Sequence, residues 1–189
     1  MSFNLSVILR ESARRAPDHP AVIFDGGRLT YREIDERSDE LARALAGLGL
    51  RPGQGVGLQL PNVPEFVIVL HGILKAGGYV IPMNVLNKAP EIEYFLALAG
   101  ADIIITDVSC AEQAIRGAEA AGAGHVFVRG ATTLPEGAED LAELMAAGAD
   151  SSEPTPYVPT EATDTAVLLY TSGTTGRPKG VQLTHFQLY

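Results

Sequence analysis

The residues whose types and spacing carry the most chemistry lie between positions 166 and 185. An apolar run, Ala166-Val167-Leu168-Leu169-Tyr170, opens into Thr171-Ser172-Gly173-Thr174-Thr175-Gly176-Arg177-Pro178-Lys179-Gly180, and a second apolar run, Val181-Gln182-Leu183-Thr184-His185, leads out. Glycines let successive backbone N–H groups turn into one concavity, which favours an anion. The hydroxyls of Thr171, Ser172, Thr174 and Thr175 can donate hydrogen bonds without bulk, and Lys179 adds a mobile positive charge suited to a polyphosphate. A charge-assisted hydrogen bond of this kind contributes roughly 1.5–3 kcal/mol. A plain solvated connector between two strands has the same composition, and only the order of residues over the whole stretch separates the two readings. The loop is not a Walker A loop, because no Gly-Lys-Ser/Thr step occurs and Pro178 precedes the lysine. Gly53, Gly55 and Gly57 do not form a dinucleotide fingerprint either, since they precede a strand rather than follow one.

Other residues attract notice and have simpler readings. Lys75 ends a helix, where a cation complements the helix C-terminus. His71 sits on the same helix with no second metal ligand nearby. His185 opens the helix after the loop, either as a first-turn polar residue or as a group that orders the loop. Tyr31 and Tyr79 read as packing aromatics, and Tyr170 enters the loop as a brace. Glu136, Glu139, Asp140 and Glu143 read as a solvated helix face. Cys110, the single cysteine, reads as a small apolar filler at a helix start.

The elements that position the loop follow from periodicity. Leu5, Ile8, Leu9 and Ala13 make one face of an opening helix that ends before Pro17. Ala21–Phe24 and Arg28–Thr30 form a hairpin about Asp25-Gly26-Gly27. Thr30 and Glu33 make a capping box for a helix with an Ile34, Leu41, Leu45 and Leu48 stripe, closed by Gly49. Strands are expected at Val56–Leu60, Tyr79–Met83, Ile103–Thr106, His125–Val128 and Ala166–Tyr170. Helices are expected from an Asn62 cap to Lys75, over Pro90–Ala99, from a Ser109/Glu112 capping box to Ala121, and over Leu141–Ala147. The alternation predicts an α/β fold with a mostly parallel sheet covered on both faces. The stretch Gly148–Asp164, with Pro154, Pro156 and Pro159, reads as an extended linking segment.

Composition bounds the class. The chain has 189 residues, of which 46% are hydrophobic and 20% charged, enough to build a core. A net charge of −9 argues against nucleic-acid binding, which needs clustered cations. The N-terminus lacks a basic start followed by a long apolar run, and the apolar run from Phe66 to Leu74 is too short to span a bilayer. A lone thiol fits a reducing compartment. The expectation is a cytoplasmic protein with no transmembrane segment.

The order Tyr-Thr-Ser-Gly-Thr-Thr-Gly-x-Pro-Lys-Gly-Val over 170–181 resembles the signature loop of the adenylate-forming superfamily, which comprises acyl-CoA synthetases, peptide-synthetase adenylation domains and luciferases. Leu29-Thr30-Tyr31-Arg32-Glu33-Ile34 and the run from Ile73 to Asn84 resemble two earlier motifs, in the family's order, so the resemblance covers nearly the whole chain. It implies the N-terminal portion of the large, AMP-binding domain over residues 1–189. It also implies that Thr171, Ser172, Gly173, Thr174, Thr175, Gly176 and Lys179 hold the phosphates of ATP. Gly173-Thr174-Thr175-Gly176 and the exit Leu183-Thr184-His185 look more like acyl-CoA synthetases, and the stretch from Asn87 to Leu96 resembles the helix after the second motif in fatty-acyl and aryl-acid ligases, with a fatty acid as the implied substrate; Gln187 departs from the Asn the family often carries there. An aryl-acid or amino-acid adenylation domain and a non-catalytic anion-binding module are the alternatives. The resemblance implies ATP, Mg2+ and coenzyme A as the whole enzyme's cofactors, no resident metal site here, and no complete catalytic set, since the family's remaining groups follow the loop. It therefore predicts that the 189-residue chain alone is inactive, that its loop is mobile without nucleotide, and that uncovered apolar faces favour self-association.

Overall fold

A computed structural model of the chain describes residues 3–152, 155, 157–171 and 178–189. The elements in chain order are α1 (Val7–Arg15), β1 (Pro20–Phe24), β2 (Gly27–Thr30), α2 (Tyr31–Gly47), β3 (Gly55–Gln59), α3 (Pro64–Lys75), β4 (Tyr79–Pro82), α4 (Ala89–Ala99), β5 (Ile103–Asp107), α5 (Ala111–Ala121), β6 (His125–Arg129), β7 (Glu139–Asp140), α6 (Leu141–Ala149), β8 (Thr165–Thr171), β9 (Lys179–Thr184) and α7 (His185–Leu188). β1 and β2 form a separate antiparallel hairpin. Among the described residues the other strands form one seven-stranded sheet in the order β7-β6-β5-β3-β4-β8-β9. Every pairing in it is parallel except that of β8 with β9.

The strand order explains where the helices lie. The chain steps from β3 to β4 in one direction, then reverses across β3 to reach β5 and β6. A right-handed crossover puts its helix on opposite faces for opposite directions of travel. Accordingly Leu9, Leu41, Leu45, Ile68, Ile73, Leu144 and Met145 of α1, α2, α3 and α6 pack with Val56, Leu58, Val80, Ile103 and Ile105. Ile92, Phe95 and Leu96 of α4 and Ala114 and Ala118 of α5 pack with Ile81, Ile104, Val126 and Val128 on the other face. Alternate residues of β5 thus feed alternate faces, as a strand period of two requires. Close approaches need glycine at two points: a Cβ at Gly117 would lie 2.7 Å from Ile92, and one at Gly148 would overlap the Glu40 carbonyl oxygen.

Three local expectations are corrected. Asn62 does not cap α3; Val63 does, with φ −119° and ψ 157°. Pro64 forces the residue before it into extended backbone, so the cap falls one position later. Ser109 and Glu112 form no capping box, and the N-cap residue of α5 is Cys110 with no side-chain cap. The Ser109 hydroxyl and N–H both donate to Asp107 Oδ1, at 2.7 and 3.1 Å, so the carboxylate at the end of β5 captures the group the helix would have used. The acidic run near α6 is not a solvated helix face throughout. Glu139 and Asp140 form the short edge strand β7, Glu139 accepts from His125 Nδ1 at 2.8 Å, and Asp140 caps α6 through Ala142 N–H at 2.8 Å. Between α6 and β8 the described residues hold no helix or strand beyond an isolated bridge at Glu161. No helix among the described residues is long and apolar enough to cross a membrane.

Candidate functional site

β8 runs parallel to β4, so its C-terminal end leaves the sheet on the edge where β3, β4, β5 and β6 also end. Open α/β sheets bind ligands along that edge. Thr171 is the last residue of β8, Lys179 is the first of β9, and the two are direct cross-strand partners. Directly opposed residues point to one face, with Cβ atoms about 5 Å apart. The two side chains therefore leave the same face of the hairpin at the mouth of the loop. Both are exposed, and Lys179 has no ion-pair partner among the described residues. An uncommitted cation beside a hydroxyl donor fits a phosphate. Ser172, Gly173, Thr174, Thr175 and Gly176, and with them the expectation about loop mobility, lie outside the described residues.

The loop's two shoulders rest on α4. The Tyr170 ring stacks on Phe95 with centroids 4.2 Å apart and planes at 11°, and its hydroxyl donates to the Phe95 carbonyl at 2.9 Å. Burial, with smaller contributions from Tyr79 and Tyr94, pushes the Tyr170 phenol up to about 12, so it remains a donor throughout the working pH range. On the other shoulder, the Tyr94 hydroxyl donates to the Pro178 carbonyl at 3.1 Å. Between α4 and Pro178 lies a largely apolar groove of about 420 Å³ lined by Pro90, Tyr94 and Phe95.

His185 stands at the far end of β9 and is 1% exposed. Its Nδ1 accepts from the Leu5 backbone N–H at 3.1 Å, which requires a ring unprotonated at that nitrogen. Burial lowers its pKa from the ordinary histidine value, against a smaller opposing pull from Asp164. Thr184 caps α7, and its partner in that capping box is Gln187. Glutamine suits this third helical position because its side-chain oxygen reaches back to the Thr184 N–H, at 3.0 Å.

Sequence reasoning missed two charged clusters. Lys75 is not explained by a helix terminus. Its side chain is fully buried, and Nζ donates to Asp35 Oδ1 and Asp39 Oδ1 at 2.6 Å each and to Ser38 Oγ at 2.9 Å. Arg10 from α1 reaches the same carboxylates, with Nη2 2.6 Å from Asp39 Oδ1. The pattern that could have revealed this cluster is Asp35-Ser38-Asp39, polar residues one turn apart on an otherwise apolar face of α2. The second cluster closes β5 and β6. Arg129 Nη1 donates to Asp107 Oδ2 at 3.0 Å, and its Nε makes an ion pair with Glu65 at 3.0 Å whose angle falls short of a hydrogen bond. Burial would raise the Asp107 pKa, but bonds from Ser109 and Arg129 outweigh it and hold the carboxyl below its ordinary value. The sequence signal was there: Ile103–Thr106 ends in Asp107, and His125–Val128 ends in Arg129. β3 and β4 separate this cluster from β8, so it is not part of the loop site. Among the described residues no group of three or more His, Cys, Asp or Glu is placed to hold a metal.

Known proteins resemble this chain over nearly its whole length. The model of the family described as AMP-binding enzyme matches residues 9–189. The chain is 35% identical over 178 residues to the phosphinothricin tripeptide synthetase PhsC of Streptomyces viridochromogenes, covering 94% of this chain and 15% of that protein. It is 36% identical over 176 residues to the feruloyl-CoA synthase of an Amycolatopsis species, covering 93% and 32%. Among solved structures, the anthranilate CoA ligase AuaEII in complex with anthranoyl-AMP superposes with a TM-score of 0.87 at 28% identity, covering 98% of this chain and 35% of that one. The chain thus spans about a third or less of the length of each of these proteins.

Proposed function

The chain belongs to the AMP-binding enzyme family, and from that premise we propose that the whole protein is an acyl-CoA synthetase. A carboxylate oxygen attacks the α-phosphorus of ATP, the bond to the bridging oxygen breaks, and pyrophosphate leaves with that electron pair. The thiol of coenzyme A then attacks the acyl carbon and displaces AMP. ATP supplies the electrophilic phosphorus; the residues of this chain hold its charge. Lys179 and Thr171 bind phosphate oxygens at the loop mouth, an electrostatic role that grows as charge builds on the leaving pyrophosphate. Ser172, Gly173, Thr174, Thr175 and Gly176 supply, by residue type, further hydroxyl and backbone N–H donors for the same phosphates. Mg2+ and coenzyme A belong to this reading as the family's partners in adenylation and thiol transfer.

The observation that carries the reading is the register of Thr171 against Lys179 at the carboxyl edge of a parallel sheet. The similarity to feruloyl-CoA synthase and to an anthranilate CoA ligase supports an acid–thiol ligase and favours the aryl acid over the fatty acid, the two substrates that the resemblance of residues 87–96 leaves open. The similarity to a tripeptide synthetase supports a second reading, activation of an amino acid. Acid-dependent exchange of labelled pyrophosphate into ATP by the whole protein tests both readings, with fatty, aromatic and amino acids as three arms. Exchange with a fatty or aromatic acid, followed by thioester formation on coenzyme A, is the expected result. Exchange with amino acids alone replaces the first reading with the second, and none in any arm removes the enzymatic reading.

A further inference from the structure

Within residues 3–189, β9 presents Lys179 from a strand that is tied to α4 at its loop end through Pro178 and that buries little of its own side-chain surface. Its first four residues, Lys179 to Gln182, are exposed, and only Leu183 and Thr184 are half-buried. Among the described residues it is an edge strand, paired with β8 alone. Such a strand has little apolar surface to keep it on the sheet. Its ladder is also interrupted, with a register shift between Thr165 and Val167 at the end away from the loop.

That end is where the chain's first described residues converge. Asn4 is 2% exposed, and its Nδ2 donates to the Leu74 carbonyl at 2.7 Å and the Val158 carbonyl at 3.3 Å. Its Oδ1 accepts from both the N–H and the hydroxyl of Ser6, at 3.0 and 2.6 Å. Phe3 exchanges bonds with Thr160, N–H to carbonyl at 2.7 Å and Thr160 hydroxyl to Phe3 carbonyl at 2.6 Å. Residues 3–6 are thereby fixed to the C-terminal turn of α3. From this fixed strap the Leu5 N–H reaches across to His185 Nδ1. The backbone at 185 and 186 is tied as well, to the Asp164 and Ala162 carbonyls.

We infer that His185 is a positioning residue for Lys179: with the Phe3–Ser6 strap it clamps the exit of the β8–β9 hairpin to α3 and so keeps β9 in register with β8. The inference rests on the reading of Lys179 as a phosphate ligand, but the clamp itself is observable without activity. A buried imidazole accepting from a backbone donor is an effective anchor, because removing the acceptor leaves that part-buried N–H without its partner.

The test uses His185→Phe, which keeps a ring and removes the acceptor, and Asn4→Ala, which frees the strap and leaves His185 intact. Amide hydrogen exchange over Val181 to Leu183 is expected to quicken about 5-fold or more in both, as loss of one buried hydrogen bond implies, with β3 and β5 unchanged. In the whole protein, KM for ATP is expected to rise by about the same factor while KM for the acid stays put. His185→Gln, which offers an oxygen to Leu5, should stay near the parent in both measurements. A disulfide staple between the cross-strand positions of Leu168→Cys and Gln182→Cys, made in a Cys110→Ala background, should restore β9 protection and ATP affinity to His185→Phe. Unchanged β9 exchange in both His185→Phe and Asn4→Ala overturns the clamp; should His185→Phe fail to fold, Asn4→Ala alone decides. Faster β9 exchange with an unmoved KM for ATP leaves the clamp standing and overturns the phosphate reading of Lys179.

Discussion

Single side chains in this protein behave according to what surrounds them rather than where they sit in the sequence. Lys75 and Lys179 have the same chemistry and opposite fates. Lys75 is 0% exposed, with its charge balanced by Asp35 and Asp39. Lys179 is exposed and has no ion-pair partner among the described residues. Replacing Lys75 by Ala leaves two close carboxylates with only Arg10 to offset them, and is expected to cost about 3 kcal/mol in urea unfolding. A loss under about 1 kcal/mol would mean the network is solvated rather than buried. Lys179→Ala touches no packing. It is expected to raise KM for ATP by about 10-fold or more in the whole protein, with the KM for acid held within about 2-fold. Parental ATP kinetics would remove Lys179 from the phosphate site. His71 adds a pH signature. Burial, then Lys75, push its pKa down to about 4 from 6.5, against a smaller opposing pull from Asp35. The unfolded chain takes up the proton first, so stability is full above pH 6.5 and falls as pH drops towards 4. The loss amounts to about 3 kcal/mol when complete. A His71→Leu variant should lose less stability over that window, and parallel curves for the two proteins would refute the assignment.

At the scale of elements, helix contacts set the tolerances. α6 crosses α2 so closely at Gly148 that a methyl group there would overlap the Glu40 carbonyl, while the Gly148 carbonyl accepts from Arg43 Nε at 2.7 Å. Gly148→Ala is therefore expected to destabilise by about 1–3 kcal/mol, read by thermal unfolding, despite alanine's better helix propensity. A neutral or stabilising result would show that α6 can shift away from α2 at no cost. The Thr30 cap of α2 is a smaller and separable contribution: its Oγ1 accepts from Glu33 N–H at 3.3 Å, and Thr30→Ala should cost about 1 kcal/mol. Periodicity located these helices well, because a buried stripe and a capping box are local patterns. It misjudged the starts of α3 and α5, where one neighbour, Pro64 or Asp107, outbid the nominal cap.

Within residues 3–189 the two ends of the sheet differ. One end of the sheet is closed by the short strand β7 and covered by α6, whereas the β9 end carries exposed Val181, Phe186 and Tyr189, the last two at 67% and 76%. An exposed strand edge beside apolar side chains is a surface that seeks a partner. The 189-residue chain is expected to self-associate in a concentration-dependent way in sedimentation velocity. Replacing Phe186 and Tyr189 by Ser should shift it towards the monomer. A chain that stays monomeric at high concentration would refute this expectation.

What the sequence determined by itself is the local and the periodic: the α/β alternation, most strand and helix spans, and the order of residues in the loop that marks the family. Those properties depend on near neighbours along the chain, which is why they are legible there. Only the tertiary structure decided that Lys75 is a buried cation, that Asp107 and Arg129 meet across β5 and β6, and that Leu5 reaches His185 across 180 positions. Each of these depends on which strands end side by side, and strand order is set by how the helices cover both faces of the sheet. The pairing of Thr171 with Lys179 stands between the two: a short hairpin implies it, but the sheet determines which edge it occupies.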